Sequence, residues 1–313
     1  EGIGCFLVPR LLEDGSTNGL RFQRLKDKIG NRSNASSEVE FSDTFGFLLG
    51  APDAGIRTIL DMVTLTRLDC ALASSGIMRA SLAEAVHHVR GRSAFGKPLV
   101  AQPIMTRVLA DMALDVAGAT ALAFRLADAF DRARDSAEDA AYARIMTPVT
   151  KYWCCKIAPA LIYEAMECIG GSGYVEERPI ARHYREAPVN AIWEGSGNVM
   201  ALDLMRVIGR GRDLFDILFT ALARDLGPAG KKTVDVLRAC LSLCERDEGA
   251  ARMLVEQLAL AAAAAELYRA GAGRVADAFL ETRLASGWRS TYGMLDSRFD
   301  SAYIVDLLYP PAR

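Results

Sequence analysis

The 313-residue chain is 51% hydrophobic, carries 24% charged residues and has a net charge of -2. That length accommodates two or three domains with a large core, and the balanced charge gives no global attraction to nucleic acid or to an anionic membrane surface. No charge-free apolar run reaches the roughly 18 residues of a membrane helix, even around the Ala261 to Ala265 tract.

The first 50 residues carry the β signal. Short runs at Cys5 to Val8, Leu20 to Leu25, Glu38 to Phe41 and Phe45 to Leu49 read as strands, with a turn supplied by Glu13-Asp14-Gly15-Ser16-Thr17-Asn18-Gly19. Three or four short strands leave edges and a face uncovered, so the chain is expected to begin inside a β domain whose other strands lie elsewhere.

From Ala51 to about Arg210 the period becomes helical. Ile56, Ile59, Leu60, Val63, Arg67, Ala71 and Ser74, then Met78, Leu82, Ala85 and Val89, trace one long helix that Gly91 and Gly96-Lys97-Pro98 end. A second helix is predicted from about Ile104 to Arg134. A third runs from about Ala137 to Ile169, where Pro148 and Pro159 are expected to bend or divide it. A fourth follows Glu194. Long helices with short connections predict a four-helix bundle, a fold that holds cofactors between facing helices or at their ends. Residues 211–313 read as an extra helical module punctuated by Gly227-Pro228-Ala229-Gly230 and Gly271-Ala272-Gly273. Its 13 Lys and Arg against 14 Asp and Glu leave -1, without the basic excess of a duplex binder, although Lys231-Lys232 is a local exception.

Seven cysteines, an odd number without a Cys-x-x-Cys pair, read as reduced thiols rather than a disulfide framework. Cys240 and Cys244 share a helical face, but with only three histidines no zinc set is expected.

Two glycine-rich stretches stand out: Gly170-Gly171-Ser172-Gly173-Tyr174, and Ile192-Trp193-Glu194-Gly195-Ser196-Gly197-Asn198. In the second, a carboxylate precedes a helix between a tryptophan and two glycines. Two readings are open. Either Glu194 is a base with backbone N–H groups and open space beside it, or Ser196 or Asn198 caps the helix and Glu194 answers its dipole.

Together with Arg92-x-x-Phe95-Gly96-Lys97-Pro98 and Arg185-Glu186-Ala187, these stretches, in this order and spacing, resemble the acyl-CoA dehydrogenases. The likeness covers residues 1–210 and omits the family's N-terminal helical domain and first β strands. The fold it implies is mainly α: part of the middle β domain over 1–50, the C-terminal four-helix bundle over 51–210, and an extra helical module over 211–313. Asn31 to Phe41, the Trp193-Glu194 segment and the extra helices resemble the DNA-alkylation-response branch, the AidB type.

That resemblance implies an oxidoreductase acting on CH–CH bonds: α,β-dehydrogenation of an acyl-CoA, FAD as hydride acceptor, and electron delivery to an electron-transfer flavoprotein or similar acceptor. It implies Glu194 as the base, as in short- and medium-chain types. Other branches place the base immediately before an arginine on the first long helix; here that pair is Thr66-Arg67, and threonine is no carboxylate. The family pattern maps Arg92 and Phe95 to the flavin pyrophosphate from one subunit, with Gly170 and Gly171 approaching from another, in a homodimer or homotetramer. Ser196 and Asn198 match positions that contact FAD. Trp193, Gly195, Arg67 and Arg206 map to the acyl pocket, though either arginine is open to an ion pair, as Arg206 with Asp203. Three departures weaken the expectation of efficient turnover: Glu167 replaces a glutamine before the glycine turn, Gln102 is one residue out of place, and Ala201 stands where many relatives have arginine. The alternative implied function is a stress-response flavoprotein that associates with DNA and retains vestigial dehydrogenase chemistry. A cytoplasmic location is expected, and no metal.

Overall fold

A computed structural model describes residues 2–285 and 298–311. By contacts the chain divides into two units, residues 1–66 and 67–313.

The first unit holds four strands in two antiparallel pairs. β1 (Cys5–Leu7) pairs with β4 (Phe47–Leu49), and β2 (Leu20–Leu25) pairs with β3 (Ser37–Phe41). Buried Asn18 is the polar knot of this unit. Its Nδ2 donates to the carbonyls of Pro9 and Phe45 at 2.7 and 2.8 Å, and its Oδ1 accepts from the Gly19 and Phe45 N–H groups. Phe6, Leu7, Phe22, Leu25, Phe41 and Phe47 are exposed, so these small sheets bury little apolar surface among the described residues.

The second unit is helical. Helix α1 (Gly55–Gly91) starts in the first unit, and its residues Ala71, Met78, Leu82, Ala85 and Val89 are fully buried. Ile56, Ile59 and Leu60, read as part of the same inner face, are exposed. A two-residue hairpin joins β5 (Ser93–Ala94) to β6 (Lys97–Pro98). Helix α2 (Pro103–Arg132) follows with proline at its first turn, where no helical N–H is lost.

Helix α3 (Ala137–Ile169) is capped by Ser136, whose hydroxyl accepts from the Asp139 N–H at 3.1 Å. It runs through Pro148 and Pro159 without being divided. Packing on α2, α5 and α8 surrounds it and compensates for the lost backbone bonds. Helices α4 (Pro179–Asn190) and α5 (Gly197–Ile208) complete the bundle around it.

Helices α6 (Asp213–Asp225), α7 (Gly230–Cys244), α8 (Ala251–Arg269), α9 (Gly273–Leu280) and α10 (Ser301–Leu308) make up the C-terminal region. Helix α8 packs on α2, α3 and α5, and its alanine run, fully buried from Ala261 to Ala265, permits that close approach. Phe279 of α9 lies against Gly118 of α2, where a Cβ would come within 2.6 Å of its ring, and meets Trp153 edge to face at 6.0 Å. Below it, Arg283 is buried against Asp111 at 2.8 Å and Asp115 at 3.0 Å. No described helix is long and apolar enough to cross a membrane.

Candidate active site

The loop from α4 to α5 carries Trp193, Glu194 and Gly195. It leaves α4 through backbone bonds from the Ile192 and Trp193 N–H groups to the Val189 carbonyl, at 2.9 and 3.1 Å. The backbone then turns left-handed twice, at Glu194 with φ +58° and at Gly195 with φ +108°. An L-residue held there costs on the order of 1–3 kcal/mol unless its surroundings impose it, and such strain concentrates at functional sites. Only glycine fits at 195, since a Cβ would lie 2.7 Å from Met200 Cε and 2.9 Å from Val199 Cγ1.

Three cations and one carboxylate impose the turn. Arg67 of α1 donates through Nε to the Glu194 carbonyl at 3.1 Å and through a terminal nitrogen to Asp203 Oδ2 at 2.9 Å. Arg144 of α3 donates to Asp203 Oδ1 at 3.0 Å. Lys151 of α3, 1% exposed, donates through Nζ to the Gly195 carbonyl at 2.5 Å. Burial draws the Lys151 ammonium below its ordinary pKa; the neighbouring Cys155 and Cys70 thiols and Glu194 oppose this, while Arg67 adds to it.

Glu194 is half-buried at this turn, and Ser196, Asn198 and Arg206 are exposed. Ser196 holds the N-cap position of α5, but its side chain makes no capping bond. Capping by that hydroxyl is therefore not what the segment does, although Ser196 remains at the α5 N-terminus. Of the two arginines mapped to the acyl pocket, Arg67 is ion-paired and tied to the loop. The pairing considered for Arg206 with Asp203 does not form: Asp203 lies on the buried face of α5 and is taken by Arg67 and Arg144, whereas Arg206 lies on the exposed face without an ion pair among the described residues. Half-buried Trp193 has its indole Nε1 buried, facing the Cys70 thiol.

The residues mapped to the flavin fall on two turns. The β5–β6 hairpin places Phe95 (φ +55°) and Gly96 (φ +81°) at its two central positions, the backbone of a type I′ turn. Gln102 braces it through a bond to the Ala94 carbonyl at 3.0 Å, a role its position in the sequence did not suggest. Phe95 is 95% exposed, and the exposed Arg92 has no ion pair among the described residues. The second turn ends α3: Gly170 has φ +73°, and a Cβ at Gly170 or Gly171 would meet nothing within 4 Å. Gly173 differs, because its Cβ would lie 2.6 Å from the Met166 carbonyl oxygen. Exposed Glu167 stands on the last turn of α3 and raises the pKa of the Tyr163 phenol. No hydrogen bond or ion pair joins the two turns among the described residues.

An unpaired guanidinium, an uncovered aromatic ring and a bare glycine backbone fit a planar, phosphate-bearing group such as FAD. A cleft of about 420 Å³ lined by Lys232, Val236, Gln257 and Leu284 lies in the C-terminal helices and includes none of these residues.

Lys151 and Arg144 were not singled out by sequence reasoning, and Asp203 was considered only as a partner for Arg206, not for Arg67 and Arg144. Lys151 left a signal in the sequence, a single lysine inside the otherwise uncharged run Met146 to Cys155 of a buried helix.

The profile of the acyl-CoA dehydrogenase C-terminal domain matches residues 53–209. AidB of Escherichia coli (strain K12) is 45% identical over 283 residues, covering 90% of this chain and 52% of that protein. The mitochondrial short-chain specific acyl-CoA dehydrogenase of Bos taurus is 34% identical over 64% of this chain and 47% of its own length. In fold, the chain is similar to Caenorhabditis elegans ACDH-11, solved in complex with C11-CoA, with a TM-score of 0.81 at 24% identity over 97% of this chain and 56% of that one. The chain thus spans about half the length of these relatives; the matched profile and the 45% identity over 90% of the chain make it a member of the acyl-CoA dehydrogenase family.

Proposed function

We propose that the complete protein dehydrogenates an acyl-CoA thioester at its α,β bond, with Glu194 as the base. FAD, when bound, supplies the hydride acceptor, a role no side chain can fill. The thioester α-proton is weakly acidic, and a carboxylate brought partly out of water is suited to remove it. The observation that carries the reading is the left-handed Glu194 backbone with its carbonyl held by Arg67 and the next carbonyl held by Lys151. A residue that only begins a helix has no use for that strain.

The other roles follow from the family pattern. Gly195 leaves the side of the base free of a side chain, and Trp193 walls the acyl chain. Arg206, exposed on α5, is a cation open to the anionic phosphates of the CoA moiety. Arg92 holds the pyrophosphate beside Phe95, and Gly170 and Gly171 of another subunit admit it closely. Ser196 and Asn198 contact the flavin beside the base, with Glu167 as an acceptor-only neighbour. This requires a homodimer or homotetramer, and an electron-transfer flavoprotein or similar acceptor completes the cycle. In the complete protein Glu194→Gln keeps its FAD and loses about 10² to 10⁴ in the rate of flavin bleaching by acyl-CoA. Bleaching as fast as in the parent would return Glu194 to a structural role.

One observation favours a second reading. Likeness to AidB over 90% of the chain reaches beyond the bundle into the C-terminal helices, which makes a DNA-associated flavoprotein with residual dehydrogenase chemistry the alternative. The charge of -1 over residues 211–313 opposes it. A salt-sensitive gel shift by the complete protein, with no acyl-CoA bleaching, would favour that alternative.

A further inference from the structure

Lys151 lies in the middle of α3, and among the described residues its ammonium has one hydrogen-bond acceptor, the Gly195 carbonyl at 2.5 Å. An ammonium has three N–H groups, and burying it with one acceptor is a poor way to stabilise a helix interface. Methionine would fill similar space without the desolvation. The placement has a different consequence, which concerns the turn.

The Glu194 and Gly195 carbonyls belong to the two peptide groups that follow the Glu194 Cα, and each is taken by a cation from a different helix. Gly195 has no Cβ, so the backbone torsions on either side of its Cα are the softest in the loop. Arg67 fixes the peptide on one side of Gly195, and Lys151 fixes the peptide on the other. Without the second bond the turn is free to relax from the left-handed conformation, and the direction of the Glu194 side chain drifts with it.

We propose that Lys151 is a positioning residue for the Glu194 carboxylate: its bond to the Gly195 carbonyl locks the left-handed turn that aims the base. The inference rests on Glu194 being the base, as proposed above. Lys151 itself does not touch the reacting atoms; it acts through the backbone.

The test uses the complete flavin-loaded protein. Lys151→Met is expected to slow flavin reduction by acyl-CoA about 10- to 100-fold, the scale on which small misplacements act, with KM and FAD content little changed. Lys151→Arg, which retains a cation, recovers part of the rate. Added to Glu194→Gln, Lys151→Met has no further effect, because the group it aims is already gone. Independently of activity, hydrogen exchange at the Gly195, Ser196 and Gly197 amides speeds up in Lys151→Met while exchange through α3 does not. Lys151→Gln serves the same comparisons if the methionine variant does not accumulate. Parent-like rates and exchange in either neutral variant would overturn the proposal, as would a further loss of rate in the double variant. If Glu194→Gln alone bleaches like the parent, the base assignment fails and takes this proposal with it; a parent-like Lys151→Met beside an inactive Glu194→Gln overturns the positioning role only.

Discussion

Arg67 and Asp203 form an ion pair at 2.9 Å with each side chain 11% exposed, and the same guanidinium holds the Glu194 carbonyl. Asp203 also receives Arg144, so one carboxylate balances two guanidiniums where α1, α3 and α5 meet. Asp203→Asn removes the only negative member of that triad and leaves Arg67 mostly buried without a counter-charge. The expected loss is about 3 kcal/mol in urea unfolding. Arg144 is 36% exposed, and Arg144→Ala is expected to cost about 1 kcal/mol or less. Equal losses in the two variants would show that the burial of Arg67 does not set the scale.

The two glycines that flank Ser196 are expected to respond differently to alanine. Gly195→Ala combines a strained φ of +108° with contacts of 2.7 and 2.9 Å to Met200 and Val199, for a loss of about 2 kcal/mol or more. At Gly197 the Cβ would meet the Tyr152 ring at 3.1 Å in ordinary helical backbone, and the gain in helix propensity offsets part of that crowding. Thermal unfolding of the two variants is the comparison; a larger drop for Gly197→Ala would contradict the turn geometry.

The sequence was most legible where the information is local. Apolar periodicity placed α1, α2, α3 and α5 within a few residues, and short β-rich runs placed β1 to β4. Helix α4 is not marked by periodicity, because its charged residues Arg182, Arg185 and Glu186 and its Pro188 give it the look of a connection. Pro148 and Pro159 suggested breaks in α3 that its packing overrides. The turn at Glu194 was visible as glycines around a carboxylate, but what holds it was not. Lys151 meets Gly195 across 44 residues, and Arg67 meets Asp203 across 136. Such pairs are set by which helix faces meet, and no spacing rule along one helix reveals them.

Arg92 is expected to matter to flavin and not to folding. It is exposed and without an ion pair among the described residues, so Arg92→Ala should change unfolding free energy by about 0.5 kcal/mol or less. In the complete protein the same change lowers the ratio of flavin to protein and loosens the assembly, as read by absorbance and sedimentation. An unchanged flavin ratio would remove Arg92 from the pyrophosphate site.

The last prediction concerns alkaline stability. The Cys155 thiol is buried between α1 and α3: Ser74 Oγ donates to its sulfur at 3.3 Å, and the sulfur donates to the Cys70 carbonyl at 3.5 Å. Burial pushes its pKa up from 9.0 to about 11, with Ser74 and Lys151 working against that rise and Cys70 adding to it. Between those values the unfolded chain has released the proton while the folded chain retains it. The folded state then binds more protons, so stability falls as pH rises; the contribution is intact below pH 9 and is lost as pH climbs toward about 11. The slope from one such thiol is at most about 1.4 kcal/mol per pH unit. Cys168, pushed up to about 12, acts in the same sense and steepens the fall. Lys151 acts in the opposite sense, since its lowered pKa lets the folded state lose a proton first, and removing Cys155, which opposes that lowering, strengthens this in the variant and works in the same direction as the loss of the thiol. Cys155→Ala therefore should be less stable than the parent below pH 9, from the lost packing, and should lose less of its stability up to pH 11. Urea unfolding across that interval measures both curves, and parallel curves would mean that the thiol is not held protonated in the folded chain.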